Sequence, residues 1–294
     1  MFMSDLDSLR KSCRIAAEAL EYGKLQIKKG ASLLDVTEKI ENKILELGGN
    51  LAFPSQISFD EQAAHNYPSF DDKTLFKDQL VKLDLGVHIE GQISDIACSI
   101  DLSGKNESLC EASKKALDAA IEVIRPGITL AEVGKIIEEV ITTYGFNPVK
   151  NLSGHGLDKY QIHTEPNIPN YDNKSPIKLK KGQIIAIEPF ATPGIGFIEE
   201  KGEANVFMVI KKGNVRDLIA RQILNEINQY RELPFAKRWL VKKFPIAKAD
   251  YGLRILVREG LVRAFPPLVE KTNGLVSQHE HTIIVDDPPE VLTC

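Results

Sequence analysis

The chain lacks several features that would place it in a special class of protein. Its four cysteines have no paired spacing and no secretory context, so we expect reduced thiols rather than a disulfide framework. No uninterrupted apolar run reaches the roughly 18 residues that a membrane span needs, and the N-terminus has no apolar signal segment. The net charge of −4 predicts neither a nucleic-acid-binding protein nor a disordered acidic one. These absences leave a globular protein, which we expect in the cytoplasm.

Charge is nevertheless spread unevenly along the 294 residues. Residues 211–271 contain 14 Lys and Arg against 6 Asp and Glu, a balance of +8, which leaves −12 for the rest of the chain. This basic stretch fits a docking surface for an anionic partner, and it fits equally well the solvated face of a small helical subdomain. Both interpretations stay open at this point.

A weak internal repeat is the first positive signal. Residues 28–50 align without a gap with residues 125–147, and each copy reads as a helix that starts at a Ser or Thr, has an acid three residues later and ends at a Gly. A longer helix precedes each copy, at roughly 5–28 and 106–125, and a strand region follows it. The pattern predicts an α+β fold of two halves related by a pseudo-twofold, with a chance helix match as the alternative. The matched pairs include Gly30 with Gly127, Ser32 with Thr129, Leu33 with Leu130, Val36 with Val133, Ile40 with Ile137, Ile44 with Ile141 and Gly48 with Gly145.

A β-hairpin is predicted between residues 75 and 102, where two alternating segments flank Glu90-Gly91. A two-residue turn there pairs Gly86 with Asp95 and Ala97 with Asp84. Asp84 and Asp95 then lie on one face as diagonal neighbours, about 7–8 Å apart at Cα. An acid in the middle of an apolar strand is expensive to bury without a partner. We therefore expect the two carboxylates to share one.

Three more candidate ligands lie in strand-like segments further along the chain: His155, Glu188 and Glu280. Four carboxylates and one imidazole, without a thiolate, suit two hard or borderline divalent cations such as Mn, Fe, Co or Zn. Buried together without cations, the carboxylates would repel one another strongly. The five residues therefore predict a dinuclear metal site and, with it, a metallohydrolase. His279 and His281 flank Glu280, but strand alternation places them on the opposite face.

Besides His155, two further histidines, His163 and His65, are candidates for the chemistry itself. His155 lies between Gly154 and Gly156, which would let the backbone bend tightly while the imidazole is presented. His163 follows eight residues later, at the edge of the expected carboxylate cluster, and is interpreted as a catalytic group beside the metals. His65 lies in a polar loop, and from the residues alone it is either an ordinary exposed histidine or a catalytic one.

Residues 212–274 break the pattern of the two halves. They contain two predicted helices, at about 214–230 and 233–242, then a further helix, a turn at Glu259-Gly260 and a short strand. Helices followed by a small β-wing predict an inserted helical, winged-helix-like subdomain. The catalytic domain is then formed by residues 1–211 together with 275–294.

Five passages now point to a family: LAFPSQISFDEQAAHNYP, VKLDLGVHIEGQISDIA, LSGHGLDKYQIHTEPNIP, IIAIEPFAT and QHEHTI. They resemble the signature stretches of the type II methionine aminopeptidases, and the resemblance covers essentially the whole chain. It implies the pita-bread fold, in which two pseudo-symmetric α/β halves surround an antiparallel sheet. It also implies the insert before the last ligand strand, and the chain is similar to the compact archaeal form.

The resemblance also implies the metal arrangement. Two divalent ions per chain are expected, of Co, Mn, Fe, Zn or Ni. Asp84 would chelate one ion, Asp95 and Glu280 would bridge both, and His155 and Glu188 would complete the other.

For the reaction, the resemblance implies removal of the initiator methionine from nascent proteins with a small second residue. Glu188 would accept the proton of the attacking water, and His163 would hydrogen-bond the scissile carbonyl oxygen. The resemblance also makes His65 catalytic, near the scissile nitrogen. The implied substrate-binding residues are His65, His163, Phe53, Pro54 and Ile162.

Two other functions remain as alternatives. Prolidase or aminopeptidase P enzymes use a similar ligand set on the same fold, but they usually carry a large extra N-terminal domain. Non-catalytic pita-bread proteins bind nucleic acid or ribosomes and have typically lost metal ligands, whereas this chain keeps all five. Contact with the ribosome through the basic insert is compatible with catalysis, and we expect a monomer that does not bind membranes.

Overall fold

Seven α-helices and a set of short strands follow one another in the computed structural model, which describes residues 3–294. The helices are α1 (Met3–Gln26), α2 (Leu33–Glu46), α3 (Glu107–Val123), α4 (Leu130–Thr143), α5 (Leu218–Ile227), α6 (Lys237–Val241) and α7 (Ile246–Arg258), with a 3₁₀ turn at Asn228–Tyr230. The strands are β1 (Asn50–Leu51), β2 (Gln56–Phe59), β3 (Gln62–Ala64), β4 (Leu80–Ile89), β5 (Gln92–Asp101), β6 (Asn147–Pro148), β7 (Ser153–Asp158), β8 (Gln161–Pro169), β9 (Ile184–Ile187), β10 (Phe190–Thr192), β11 (Ile198–Glu200), β12 (Val206–Val209), β13 (Phe235–Ala236), β14 (Val262–Phe265), β15 (Leu268–Glu270), β16 (Ser277–Gln278), β17 (His281–Ile284) and β18 (Glu290–Val291).

Each half of the main body buries a pair of helices against one face of a sheet. In the first half, α1 and α2 cover the β4–β5 hairpin, and in the second half α3 and α4 cover β8, β9 and β17. The helices form because apolar residues recur every three or four positions, which gives each helix one buried face. The buried residues of α2 include Val36, Ile40 and Ile44, and those of α4 include Val133 and Ile137.

The pseudo-twofold is visible in individual hydrogen bonds. Gly30 N donates to Phe76 O at 2.8 Å, and Gly127 N donates to Leu179 O at the same distance. Both glycines have positive φ, +84° and +91°, a conformation that favours glycine. The N-caps differ slightly. Thr129 forms a full capping box with Glu132. At Ser32 the bond observed is the one that Asp35 N donates to the Ser hydroxyl oxygen, because the Asp35 side chain is one methylene shorter than that of Glu132.

The predicted hairpin register is confirmed. β4 and β5 pair Gly86 with Asp95 and Asp84 with Ala97, across a turn in which both central residues have positive φ. The sheets of the two halves meet along β5, where Glu280 N donates to Ala97 O at 3.0 Å. Thr282 reinforces this junction, because its hydroxyl accepts from Asp95 N and donates to Asp95 O, both at 2.8 Å. The last strand is thereby held beside the hairpin acids.

The insert contains three helices and a small sheet in which β12 lies between β13 and β14. Its two predicted helices were too long. The first begins at Leu218, because Asp217 caps it by accepting a hydrogen bond from Ala220 N at 2.8 Å, and it ends at Ile227, where the chain tightens into a 3₁₀ turn. The second begins at Lys237, because the preceding residues pair as a strand with β12. The predicted boundaries of the insert at residues 212 and 274 stay a prediction. β12 pairs with β14 of the insert although it lies before residue 212, and β15 pairs with β3 and β11 of the main body although it lies before residue 274.

A buried ion pair attaches the insert to the first half. Arg238 of α6 donates through Nη1 to Glu41 Oε2 of α2 at 2.8 Å, and its Nη2 contacts Glu41 Oε1. Trp239 Nε1 and Ser55 N also donate to this carboxylate, each at 3.2 Å. The insert therefore holds, through Glu41, the segment that leads into β2.

Two expectations about composition can also be compared with the described residues. No helix among residues 3–294 has the combination of length and apolar character that a bilayer crossing requires. All four cysteines are free thiols, as expected.

Candidate active site

Two of the predicted ligands come from the hairpin. Asp84 and Asp95 lie on the same face of β4 and β5 and are 5% and 4% exposed. Their neighbours along each strand pack into the core of the first half, so the acids are fixed by a sheet that is rigid around them. The hairpin therefore presents both carboxylates towards the junction of the two halves.

The second half and the last strand supply the other three. His155 Nε2 on β7 lies 3.7 Å from both Asp95 Oδ2 and Glu188 Oε1. Glu188 directly follows β9, and Glu280 lies between β16 and β17. Ligand atoms of Asp95, His155 and Glu280 all lie within 4.8 Å of one another. The structure thus brings all five predicted residues together in one buried cluster.

Gly154 and Gly156, which flank His155, have a structural role different from the tight backbone bend that was predicted. A Cβ at Gly154 would lie 2.4 Å from Ala186 O, and a Cβ at Gly156 would lie 2.4 Å from Glu165 O. They permit close approach of the neighbouring strands rather than a sharp bend. The imidazole is therefore placed by strands that approach more closely than a side chain would allow.

Electrostatics in the cluster oppose ionisation of the acids. Burial, with a smaller opposing effect of hydrogen bonds from Gln56 and Gln278, raises the pKa of Asp84 to about 7. Burial and then the charge of neighbouring carboxylates raise the pKa values of Asp95, Glu188 and Glu280 well above their ordinary range. Such a group stays ionised at neutral pH only if positive charge is added.

Unpaired atoms in the cluster fit divalent cations. Asp84 Oδ1, Asp95 Oδ1 and Glu280 Oε1 are buried and have no hydrogen-bond partner. Burial lowers the pKa of His155 to about 3, so its imidazole is neutral and has a lone pair to donate. Buried carboxylate oxygens and a neutral imidazole are the donor set that Mn²⁺, Fe²⁺, Co²⁺ and Zn²⁺ accept. The donors present therefore fit the metals that the family resemblance implies.

Two buried amides, which the sequence analysis missed, complete the cluster. Gln278 Nε2 lies 3.3 Å from Asp84 Oδ2 and from Glu188 Oε2, and 3.4 Å from Glu280 Oε2. Gln56 Nε2 donates to Asp84 Oδ2 from the neighbouring strand β2. Gln278 could have been found, because it precedes Glu280 by two residues and strand alternation puts both on one face. Gln56 had no such signal.

The other histidines separate as predicted. His163 packs edge-on against His155 with ring centroids 4.5 Å apart, and His65 lines the same cavity. His163 is accessible within the cavity, but the surrounding walls still withdraw it from bulk water and lower its pKa. Burial lowers the pKa of His65 to about 4. His279 and His281 point away from the cluster and contact Ser and Thr hydroxyls at 2.9 Å.

A cavity of about 570 Å³ opens over the cluster. Phe53 and Ile162, two of the predicted substrate-binding residues, are part of its lining. A Cβ at Gly86 would lie 2.2 Å from the Phe53 ring, so this glycine makes room for the ring. Pro54 does not belong to the lining: it is buried behind Phe53, next to Ser55, whose backbone N–H is tied to Glu41. Its place in the substrate pocket was wrong for that reason.

The insert and its first strand form part of the cavity wall, which the sequence did not predict. Met208 lies on β12, Arg263 and Phe265 lie on β14, and all three line the cavity. The Phe265 ring lies edge-on to His65 with centroids 5.5 Å apart, and the Arg263 guanidinium lies 5.0 Å from the Phe265 centroid. These residues therefore shape the space above the predicted metal ligands.

Comparisons with known proteins agree with this geometry. Residues 7–239 match the model of metallopeptidase family M24. A curated methionine aminopeptidase from Archaeoglobus fulgidus is 45% identical over 289 residues, 98% of this chain and 97% of the relative. A second, from Pyrococcus abyssi, is 41% identical over 98% of this chain and 99% of the relative.

Solved structures share the fold. A methionine aminopeptidase from Thermotoga maritima matches with a TM-score of 0.73 at 21% identity, covering 100% of this chain and 98% of that one. A thermophilic Arx1 matches with a TM-score of 0.87 at 17% identity, covering 99% and 91%. A prolidase from Pyrococcus furiosus matches with a TM-score of 0.64, and this chain covers only 64% of it. The expected pita-bread fold is confirmed, and the chain belongs to metallopeptidase family M24.

Proposed function

We propose that this protein removes the N-terminal methionine from peptides and nascent proteins whose second residue is small. The observation that carries the proposal is the convergence of three buried carboxylates, the largely buried Glu188 and one imidazole on the floor of a partly apolar cavity. The relatives that match along the whole chain are named methionine aminopeptidases, which supports the substrate. We place this activity in the cytoplasm, in a monomer.

Two divalent cations per chain would complete the site. Asp84 would hold one of them, Asp95 and Glu280 would be ligands to both, and His155 and Glu188 would hold the other. When bound, the cations supply an activated water and a Lewis acid for the scissile carbonyl. The unpaired oxygens of Asp84, Asp95 and Glu280 support this assignment, since each needs a partner that the protein does not provide.

Three side chains manage protons and charge during the reaction. Glu188 accepts the proton of the attacking water and passes it to the leaving amine, and its carboxylate lies among the proposed metal ligands, 3.7 Å from His155 Nε2. His163 donates a hydrogen bond to the carbonyl oxygen as negative charge develops there. His65 donates to the peptide near the scissile nitrogen, from the opposite side of the cavity.

The cavity walls determine which substrate fits. Phe53 and Ile162 provide apolar surface for the methionine side chain. The insert closes the cavity with Phe265 on the other side, which limits the space for the second residue.

A peptide panel tests the proposal and separates it from the prolidase-type alternative. Metal-loaded full-length protein is incubated with Met-Ala-Ser, Met-Phe-Ser and Ala-Pro-Phe, and the released amino acids are quantified. Release of Met, mainly from the first peptide, is the expected result. Release of Ala from the third peptide would instead select an enzyme of the prolidase or aminopeptidase P type. Release from none of the three, at full metal occupancy, would overturn the assignment as a peptidase.

A second proposal concerns the basic insert, which we assign to contact with the ribosome. A hollow of about 970 Å³ between the insert and the β7–β8 hairpin is lined by four cations: Lys159, Lys211, Lys212 and Arg231. Glu232 is the acid that accompanies them in this lining, so the hollow favours an anionic surface.

Charge reversal measures this contact. Lys211, Lys212 and Arg231 are changed together to Glu, and co-sedimentation with ribosomes is compared with hydrolysis of Met-Ala-Ser. We expect sedimentation to fall and hydrolysis to persist, because the hollow lies outside the catalytic cavity. Reversal of Lys105, Lys114 and Lys115, which are exposed on α3 and its approach, is the matched control. Equal behaviour of the two triple variants would remove the hollow from the contact.

A further inference from the structure

The side chain of Gln56 connects a metal ligand to a catalytic histidine. Its Nε2 donates to Asp84 Oδ2, and its Oε1 accepts the backbone N–H of His65 at 2.6 Å. Gln56 is 6% exposed, so neither partner has water as an easy substitute. The Gln56 amide therefore contacts both the carboxylate cluster, through Asp84, and the backbone of His65.

The chemistry of a carboxamide suits this bridge. Asp84 Oδ2 needs a donor, the His65 N–H needs an acceptor, and the amide group offers both in one plane. A carboxylate at position 56 would have no proton for Asp84, and an apolar side chain would leave both groups unpaired. Strand pairing sets the first contact, because Gln56 lies directly opposite Asp84 in the β2–β4 register.

The second contact holds a residue in an unfavourable backbone conformation. His65 has a φ of +61°, in the left-handed region that residues with a Cβ rarely occupy. The imidazole Nδ1 is buried without a hydrogen-bond partner, so the ring is oriented through its backbone and by packing against Phe265. The next residue, Asn66, is fixed to Ile57 O at 2.7 Å by its own side chain. Gln56 is thus the bond that fixes the His65 amide itself.

We propose that Gln56 is a positioning residue that couples occupation of the metal site at Asp84 to the placement of His65. The inference rests on the proposed metal site. With a cation on Asp84, the carboxylate orients the amide through Oδ2, and the amide in turn holds the His65 N–H. Loss of Gln56 weakens metal binding at one end and displaces the histidine at the other.

The test compares Gln56→Met with Gln62→Met. Gln62 is the first residue of β3, the strand that follows β2, and its Oε1 accepts from Phe59 N at 3.2 Å, so its removal weakens the β2–β3 turn without touching Asp84. Isothermal titration of the metal-free proteins with Zn²⁺ is the first readout. We expect Gln56→Met to weaken binding by about 10–100-fold, the range typical for loss of a hydrogen-bond partner of a ligand, and Gln62→Met to bind as wild type.

Kinetics at saturating Mn²⁺ provide the second readout. With metal binding restored by excess, Gln56→Met should still lower kcat for Met-Ala-Ser by about tenfold, the effect of one lost hydrogen bond of about 1.4 kcal/mol, with KM nearly unchanged. A purely structural defect in the loop would affect both glutamine variants alike.

A third readout is spectroscopic. In wild-type protein labelled with ¹⁵N-histidine, the backbone amide resonance of His65 should shift with the first equivalent of Zn²⁺, and in Gln56→Met that response should be lost. A wild-type His65 amide that ignores Zn²⁺ overturns the coupling, as does Gln56→Met with wild-type Zn²⁺ affinity and kcat. The Zn²⁺ titrations do not depend on turnover, so failure of the peptidase assignment would be distinguished from failure of this inference.

Discussion

Removal of the metals should make the stability of this protein decrease as pH rises. In the metal-free protein, burial raises the pKa of Asp84 to about 7 and those of Asp95, Glu188 and Glu280 well above their ordinary range. The unfolded chain releases these protons near pH 4. The folded metal-free state therefore binds more protons than the unfolded state, and the stability that these acids contribute at low pH is lost as pH rises through their folded pKa values.

The magnitude follows from the linkage relation. Each proton that the folded cluster retains lowers the free energy of unfolding by about 1.4 kcal/mol per pH unit. Between pH 6.5 and 8, one retained proton lowers it by about 2 kcal/mol and two lower it by about 4 kcal/mol. Bound cations replace these protons, so the metal-loaded protein should not show this loss.

Other groups titrate in this range as well. Burial lowers the pKa of Lys82 to about 7. Above that pH the unfolded chain binds more protons at Lys82 than the folded protein does, so this lysine makes the free energy of unfolding rise with pH. Lys82 and the histidines outside the cluster are the same in both forms of the protein, so their contributions cancel when the two forms are compared. The difference in free energy of unfolding between the metal-free and metal-loaded protein therefore reports on the carboxylates of the cluster.

The assay is denaturant unfolding of both forms at several pH values from 6.5 to 8, together with calorimetric metal titration at pH 7 in two buffers of different ionisation enthalpy. We expect the stability gap between the forms to widen with pH, and metal binding to release at least one proton per chain. A gap that stays constant with pH, combined with no proton release, would refute the electrostatic account of the site.

Three substitutions give further expectations. His163→Ala should lower kcat by about 10²–10³-fold with metal still bound, because one donor to the developing oxyanion is lost. Steady-state kinetics together with metal analysis measure this, and an unchanged kcat would exclude His163 from the mechanism. Gly156→Ala should reduce the free energy of unfolding by about 1–3 kcal/mol, because an added Cβ would lie 2.4 Å from Glu165 O. Denaturant unfolding would detect this, and wild-type stability would contradict the close approach of the strands. Glu41→Gln should destabilise by about 3 kcal/mol by leaving the Arg238 charge buried and uncompensated, and wild-type stability in the same measurement would contradict that role.

Local rules were sufficient for the hairpin and the repeat. A two-residue turn with alternating flanks fixes the register of β4 and β5, and the register fixes which face carries Asp84 and Asp95. Buried acids in apolar strands also marked Glu188 and Glu280, since such residues need a special partner.

Tertiary placement explains what the sequence did not reveal. Gln56 has no local mark, because its importance depends on a strand that pairs with it far along the chain. The same is true of Arg263 and Phe265, which reach the cavity through the pairing of β14 with β12. Pro54 was placed in the expected pocket by the family resemblance alone, and it is not among the residues that line the cavity.

The junction of the two sheets along β5 has a consequence for the life of the protein on its own ribosome. Glu280 reaches the other acids only when its backbone N–H bonds to Ala97, so the ion-binding centre is incomplete until β17 has been synthesised and docked. A growing chain that already contains both helical halves still lacks one carboxylate. We therefore expect activity to appear only after nearly the whole chain has been made.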